Sequence, residues 1–287
     1  MDKNTLDILK KKNKYYKAPM TESEKIAAIQ KAKNKYCGLL TFGQELPSLR
    51  KDIQHYIDHY DYSHDATVAL VLAIMDLCQF RIGNLRYKMK NNSTGVTTLE
   101  KNQLSLGSTS STIAFKGKKQ VENVCKIVDP ILNHILLDLV KHNNDNNFVF
   151  SYKGSDNQFY QINSSDINNF LDKYYLTKTN KNVSAKHFRT WKANTYFIDH
   201  LASMELPHNI TGVRHNISGA IKQTATKLYH TPAICKRSYI DTRLVDLYNS
   251  NPNEFLDIYH SISTKEIDYI DNREQKLLGM LEYLCSE

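Results

Sequence analysis

A chain of 287 residues, 41% hydrophobic, can bury a full core and has room for one large domain or two unequal lobes. Its 38 Lys+Arg against 30 Asp+Glu leave a net charge of +8, which favours a polyanionic partner without identifying it. The charged amino terminus, MDKNTLDILKKKNKYYK, excludes a signal peptide, and the most apolar stretch, residues 66–75, falls short of the ~20 residues that a membrane helix needs.

The first stretch, to about Lys35, is Lys-rich and broken by Pro19; it reads as an incomplete lobe or arm leading into a helix over 22–35. From Pro47 to Tyr60 the apolar residues Leu49, Ile53 and Ile57 recur every four positions, as on one face of a second helix. Asp65 then opens an apolar helix, ATVALVLAIMDLCQF. After Gly95 the pattern changes to short β-type runs, QLSL, STIAF and VENVCKIV, with Lys116-Gly117-Lys118-Lys119 between two of them. That predicts a small sheet with a basic hairpin.

Asp129-Pro130 starts another helix, carried by ILNHILLDLV towards Lys141, and residues 143–147 form a loop. Helical patterns return at 165–175, 184–204 and 217–228. Ser263-Thr264-Lys265-Glu266 has the form of a capping box opening the last helix. The fold class is therefore α+β and mainly α, without internal repeats or long low-complexity tracts.

The five cysteines, Cys37, Cys78, Cys125, Cys235 and Cys285, are scattered without CxxC or Cys/His spacing. Reduced, intracellular thiols and no metal are expected. His187, His200, His208 and His215 form no HExxH or finger pattern, and GxxxxGK[ST] is absent, so no metal or nucleotide cofactor is implied.

Taken singly, Arg81, Lys118, Arg189, His230 and Tyr239 are ordinary residues of a basic protein, and Tyr239 is one of 18 tyrosines. Their order is distinctive. The segments FRIGN, FKGKK, KHFRT and YHTPAICKRSY place Arg, Lys, Lys-x-x-Arg, His and Tyr in succession, with Tyr239 nine positions after His230. This order resembles the catalytic domain shared by type IB DNA topoisomerases and tyrosine recombinases. Recombinases usually carry His-x-x-Arg at the second arginine, whereas Lys186-His187-Phe188-Arg189 resembles the poxvirus and giant-virus topoisomerases, as does IKQTATKLYHTPAICKRSYID. The likeness extends through LTFGQELPSLRKDI and RIGNLRYKMKNNSTGVTTLEKNQL, from roughly Tyr15 onward.

The resemblance implies a type IB catalytic domain over 21–287, with 1–20 a remnant of an amino-terminal lobe or arm. Relatives usually carry a β-rich amino-terminal lobe that closes over DNA; too few residues precede Arg81 to hold it, so that lobe is expected to be largely missing and its clamp in doubt. It implies a monomer acting on double-stranded DNA, inside a cell: in the nucleus, viral factory or virion if viral, in the cytoplasm if bacterial. It assigns Tyr239 as nucleophile, Arg81 and Arg189 to one scissile phosphate, His230 as a donor to a non-bridging oxygen, and Lys118 with Lys186 to the proton relay. Guanidinium suits the phosphate because it stays charged and presents forked donors, and lysine suits proton transfer because it can release its proton. DNA contacts are expected from Tyr87, Lys116, Lys119, Lys236 and Arg237. Cys235 stands where the family commonly has serine. Two other readings stay open: a recombinase, and a DNA-binding protein of this fold without catalysis.

Overall fold

The computed structural model describes residues 21–179 and 182–286. The expected arm, residues 1–20, lies outside them. Helix α1 (Glu22–Asp58) opens with a capping box between Thr21 and Glu24 and runs unbroken through Pro47. The two helices expected on either side of that proline are thus one. Pro47 can donate no bond to the carbonyl four residues back and crowds it, yet Phe42, Leu46, Leu49, Ile53 and Ile57 are buried on one face and hold the helix together across it. At Gly43 an added Cβ would lie 2.2 Å from the ring of Trp191, so the approach of these two elements depends on glycine.

Helix α2 (His64–Cys78) is the hub, buried along nearly its whole length. Ser63 caps it, and Asp65, expected as the cap, falls in the first turn. It ends at Gln79 in a left-handed conformation (φ 58°), which turns the chain outward just before Arg81. Helix α3 (Leu85–Asn91) lies exposed beyond. Strands β1 (Leu104–Ser105), β2 (Ser111–Lys116) and β3 (Glu122–Ile127) form the expected antiparallel sheet. Lys116 pairs with Glu122, leaving Lys118 and Lys119 in the turn.

Asp129 caps α4 (Pro130–His142) through bonds from the amides of Ile131 and Leu132, as its Asp-Pro start predicts. A second hairpin, β4 (Ser151–Lys153) with β5 (Phe159–Gln161), was not foreseen; three-residue strands are too short for alternation to register. The rest is helical: α5 (Ser164–Thr179), α6 (Lys186–Ala202), α7 (Ile210–Lys227), α8 (Pro232–Ser238), α9 (Thr242–Ser250), α10 (Pro252–Ser261) and α11 (Asn272–Ser286). The last helix does not open at Ser263. Its capping box is Asp271 with Glu274, each side chain accepting from the other's amide, because Glu274 is also required in the interior.

There Glu274 accepts from Arg50 (2.7 and 2.9 Å), Lys192 (2.6 Å) and Trp191 (3.1 Å), joining α1, α6 and α11. Burial alone would raise its pKa, but Arg50 and Lys192 prevail and hold it down at about 2, against an ordinary 4.5. Its stabilisation is therefore complete above about pH 4.5 and lost as pH falls from there towards 2. We expect Glu274→Ala to lower the unfolding free energy at pH 7 by about 1–3 kcal/mol, since it removes the carboxylate partner of Lys192 and leaves Arg50 with Asp76 alone. The difference from wild type should shrink below pH 4.5. Urea unfolding checks both, and a loss under about 1 kcal/mol would refute the role.

The expectation of reduced thiols is overturned for four of the five cysteines. Cys37 is bonded to Cys285 and Cys78 to Cys125, with Cα separations of 5.9 and 5.6 Å; Cys235 alone is free, and buried. Partners 248 and 47 positions apart meet because α1 packs on α11 and α2 on β3, proximity that linear spacing does not encode.

Candidate active site

Arg81 sits on a segment held by its backbone. Its carbonyl accepts from Val96 N (2.9 Å), and that of Ile82 from Thr97 N (2.8 Å). Gly83 has φ +91°, and a Cβ on Gly95 would lie 2.4 Å from Gly83 backbone atoms, so this close crossing requires glycine at both positions. Phe80 anchors the segment, buried and edge-on to Phe115 of β2 at 4.8 Å.

The hairpin turn is closed by Gly117 N donating to Val121 O (2.8 Å), with Lys119 and Gln120 left-handed at φ 64° and 58°. That geometry leaves Lys118 exposed at the tip. Lys186 and Arg189 lie one turn apart at the start of α6 and so share a face. Arg189 is only 2% exposed. Its Nη2 donates to Leu228 O at 2.6 Å and also contacts His230 Nε2. Arg189 Nε and Nη1 and His230 Nδ1 are buried without a hydrogen-bond partner among the described residues.

Tyr239 closes α8 as its C-cap. His230 stacks on its ring (centroids 4.4 Å apart, 25° between planes), with Lys186 Nζ 5.5 Å and Arg189 Cζ 5.7 Å from the ring centre. Arg81, Lys118, Lys119, Lys186, His230, Arg237 and Tyr239 all line one cavity of about 330 Å³, to which no carboxylate contributes. Tyr87 lines an adjoining groove with Arg81, Lys118 and Lys119. Two expected DNA contacts are not brought here. Lys116 is exposed at the end of β2, and Lys236, on the other side of α8 from Arg237, lines a separate cleft with Arg214 and Lys222.

Burial pulls the Tyr239 phenol upward, but the positive charges of Arg189 and Arg81 outweigh it and hold the pKa below the ordinary 10. Burial, with Arg189 and Arg81, pushes His230 down to about 2, so it is neutral near pH 7. With Nε2 facing the Arg189 guanidinium, the neutral ring is assigned the tautomer protonated on Nδ1. Arg189 itself is lowered to about 10 by burial and by Arg81, and stays charged. Burial raises the Cys235 thiol to about 12, which leaves it no competing nucleophile. Among the described residues no group of three or more His, Cys, Asp or Glu side chains is arranged to hold a metal, and no helix is long and apolar enough to cross a membrane.

Three supporting residues had no signal in the sequence. Asn194 donates to Tyr239 O (2.9 Å) and accepts from Asp241 N (2.8 Å), clamping the backbone on both sides of Ile240. Tyr36 donates to Ile240 O at 2.5 Å. Tyr229, left-handed at φ 53°, reaches from beside His230 to donate to Val124 O on β3. Such a non-glycine conformation is strained and persists where the surroundings impose it. The assembled site can bind a tetrahedral anion against fixed cations and present a phenol to it.

A family model described as eukaryotic DNA topoisomerase I, catalytic core, matches residues 14–254. The chain is 29% identical over 234 residues to DNA topoisomerase 1B of Acanthamoeba polyphaga mimivirus, covering 78% of this chain and 67% of that protein. It is 26% identical over 226 residues to DNA topoisomerase 1 of Rabbit fibroma virus (strain Kasza), with 76% and 67% covered. With DNA topoisomerase 1B of Vaccinia virus (strain Copenhagen) it shares 24% over 202 residues, which is 69% of this chain and 57% of the relative.

Proposed function

The chain belongs to the family of eukaryotic DNA topoisomerase I catalytic cores, as a type IB enzyme of viral type, and from that premise we propose that it relaxes supercoiled double-stranded DNA through a 3′-phosphotyrosyl intermediate at Tyr239. What carries the reading is the convergence of a phenol of depressed pKa, a neutral histidine and several cations on one cavity. In-line attack by Tyr239 Oη forms a P–O bond as the bond from phosphorus to the 5′-oxygen breaks. The phenol proton leaves to solvent. Lys118 gives the 5′-oxygen a proton, with Lys186 in the same relay.

Negative charge gathers on the non-bridging oxygens as the transition state forms. Arg81 and Arg189 meet it with fixed donors, and the neutral His230 that lines the cavity adds a further one. One phosphoester replaces another, so the strand's own 5′-hydroxyl reverses the step and reseals it without ATP. Tyr87, Lys119 and Arg237, grouped around the cavity mouth, track the flanking phosphates, whereas Lys116 and Lys236 would meet DNA only away from the cleavage point.

The test is relaxation of supercoiled plasmid in EDTA without ATP, followed by denaturant trapping. We expect relaxed topoisomers and protein bound to 3′ ends. No relaxation, or linkage to 5′ ends, overturns the proposal.

A further inference from the structure

Three elements of the site converge at one point on β3. Cys125 is bonded to Cys78, the last residue of α2 and three positions before Arg81. The neighbouring Val124 carbonyl accepts from Tyr229, immediately before His230. Along the chain, the same strand leads back through the turn to Lys118. The other ties between the hairpin and the Arg81 segment are non-covalent: the edge contact of Phe80 with Phe115, Thr94 N donating to Lys116 O at 3.0 Å, and Gln120 Nε2 donating to Asn91 O (3.0 Å) and Asn92 O (3.3 Å). The disulfide alone holds the two elements covalently among the described residues.

We propose that the Cys78–Cys125 disulfide is a positioning cross-link that holds the Lys118 hairpin over the cleavage cavity, so that the thiol–disulfide state of this pair governs the rate of strand cleavage. The proposal rests on the reading of Lys118 as general acid. A proton donor acts only within about 2.6–3.2 Å of its acceptor, and a misplacement of about 1 Å can lower a rate about 100-fold. Lys118 is exposed and at a turn tip, so its reach is set by where β3 is anchored. Hairpin and Arg81 must keep one geometry against a common phosphate, and the bridge joins them three positions before Arg81 and three ladder pairs from the turn.

The switch is a two-electron exchange. A dithiol reductant delivers two electrons and two protons to the S–S bond, which breaks to two thiols, while the dithiol closes to its own cyclic disulfide. Cys78 is 4% exposed but Cys125 is half-buried, so attack comes from the β3 side. Cys235, buried with its thiol pushed up, takes no part.

Single-turnover cleavage distinguishes the outcomes, using duplexes with either an ordinary 5′-oxygen or a 5′-bridging sulfur, a leaving group that needs no proton. The proteins compared are wild type before and after dithiothreitol, the double variant Cys78→Ala with Cys125→Ala, and Lys118→Ala. Reduction and the double variant should each slow the oxygen substrate by about tenfold or more, yet change the sulfur substrate by less than about twofold. Retained activity on sulfur shows that the variant is folded, and the variant separates this bridge from Cys37–Cys285. Unchanged cleavage of the oxygen substrate overturns the cross-link, as does an equal loss on both substrates or absence of the Cys78–Cys125 bridge from a non-reduced peptide digest. If Lys118→Ala is rescued by sulfur while the double variant behaves as wild type, only the cross-link fails. If sulfur does not rescue Lys118→Ala, the general-acid reading falls and takes the proposal with it.

Discussion

Replacing Tyr239 by phenylalanine should abolish cleavage and relaxation while leaving affinity for duplex DNA within about threefold, because phosphate contacts carry most of the binding and none is removed. The substitution deletes the attacking oxygen and nothing else of size. The ring keeps its stack on His230, 4.4 Å away, and its place among the Lys186 and Arg189 cations. Loss of a nucleophile from an assembled site typically lowers kcat by about 10⁶, below what plasmid assays detect. Tyr229, which lines the same cavity, is no substitute: its hydroxyl is engaged by Val124 O, and burial raises its pKa where that of Tyr239 is lowered. Gel shift and covalent-adduct assays on one preparation give both quantities. Relaxation at the wild-type rate would remove Tyr239 from the chemistry.

The candidate site was legible in the sequence to the extent that it is local. Arg81, Lys118, Lys186, Arg189, His230 and Tyr239 stand in motifs whose order survives folding, and five of them line one cavity while Arg189 lies buried against His230. The support was not legible, because each part of it is a contact between distant positions. Asn194 is an ordinary helical residue until Tyr239 and Asp241 arrive at its amide. Cysteine spacing is uninformative when the bonded pairs are 248 and 47 residues apart. At Pro47 a sound local rule failed for a physical reason: burial of one long apolar face outweighed a missing hydrogen bond. At Ser263 a capping pattern competed with Asp271–Glu274, and the second won because Glu274 also neutralises Arg50 and Lys192. Lys236 shows the limit of adjacency, since successive helical residues point about 100° apart and only Arg237 turns into the cavity.

Arg189 presents a conflict between folding and function, and Arg189→Met should expose it. The guanidinium is 2% exposed, with Arg81 for an electrostatic neighbour, no carboxylate paired to it, and Nε and Nη1 without partners among the described residues. An uncompensated buried cation destabilises a fold, and an apolar side chain of similar length often restores stability. The same features suit catalysis: the cation is fixed and desolvated before substrate arrives, so a phosphate whose charge is growing meets donors that need no reorganisation. Methionine should therefore keep or raise the melting temperature, the lost bond to Leu228 O being offset by removal of the charge. Cleavage should slow by about 10²–10³, equivalent to about 3–4 kcal/mol of transition-state stabilisation. A 5′-bridging sulfur should not restore it, because the charge that Arg189 meets develops on the non-bridging oxygens whatever group departs. Thermal unfolding and single-turnover cleavage on oxygen and sulfur substrates measure all three quantities. A fall of several degrees in melting temperature with an intact cleavage rate would make Arg189 a structural residue, and rescue by sulfur would move it from the phosphate to the leaving group.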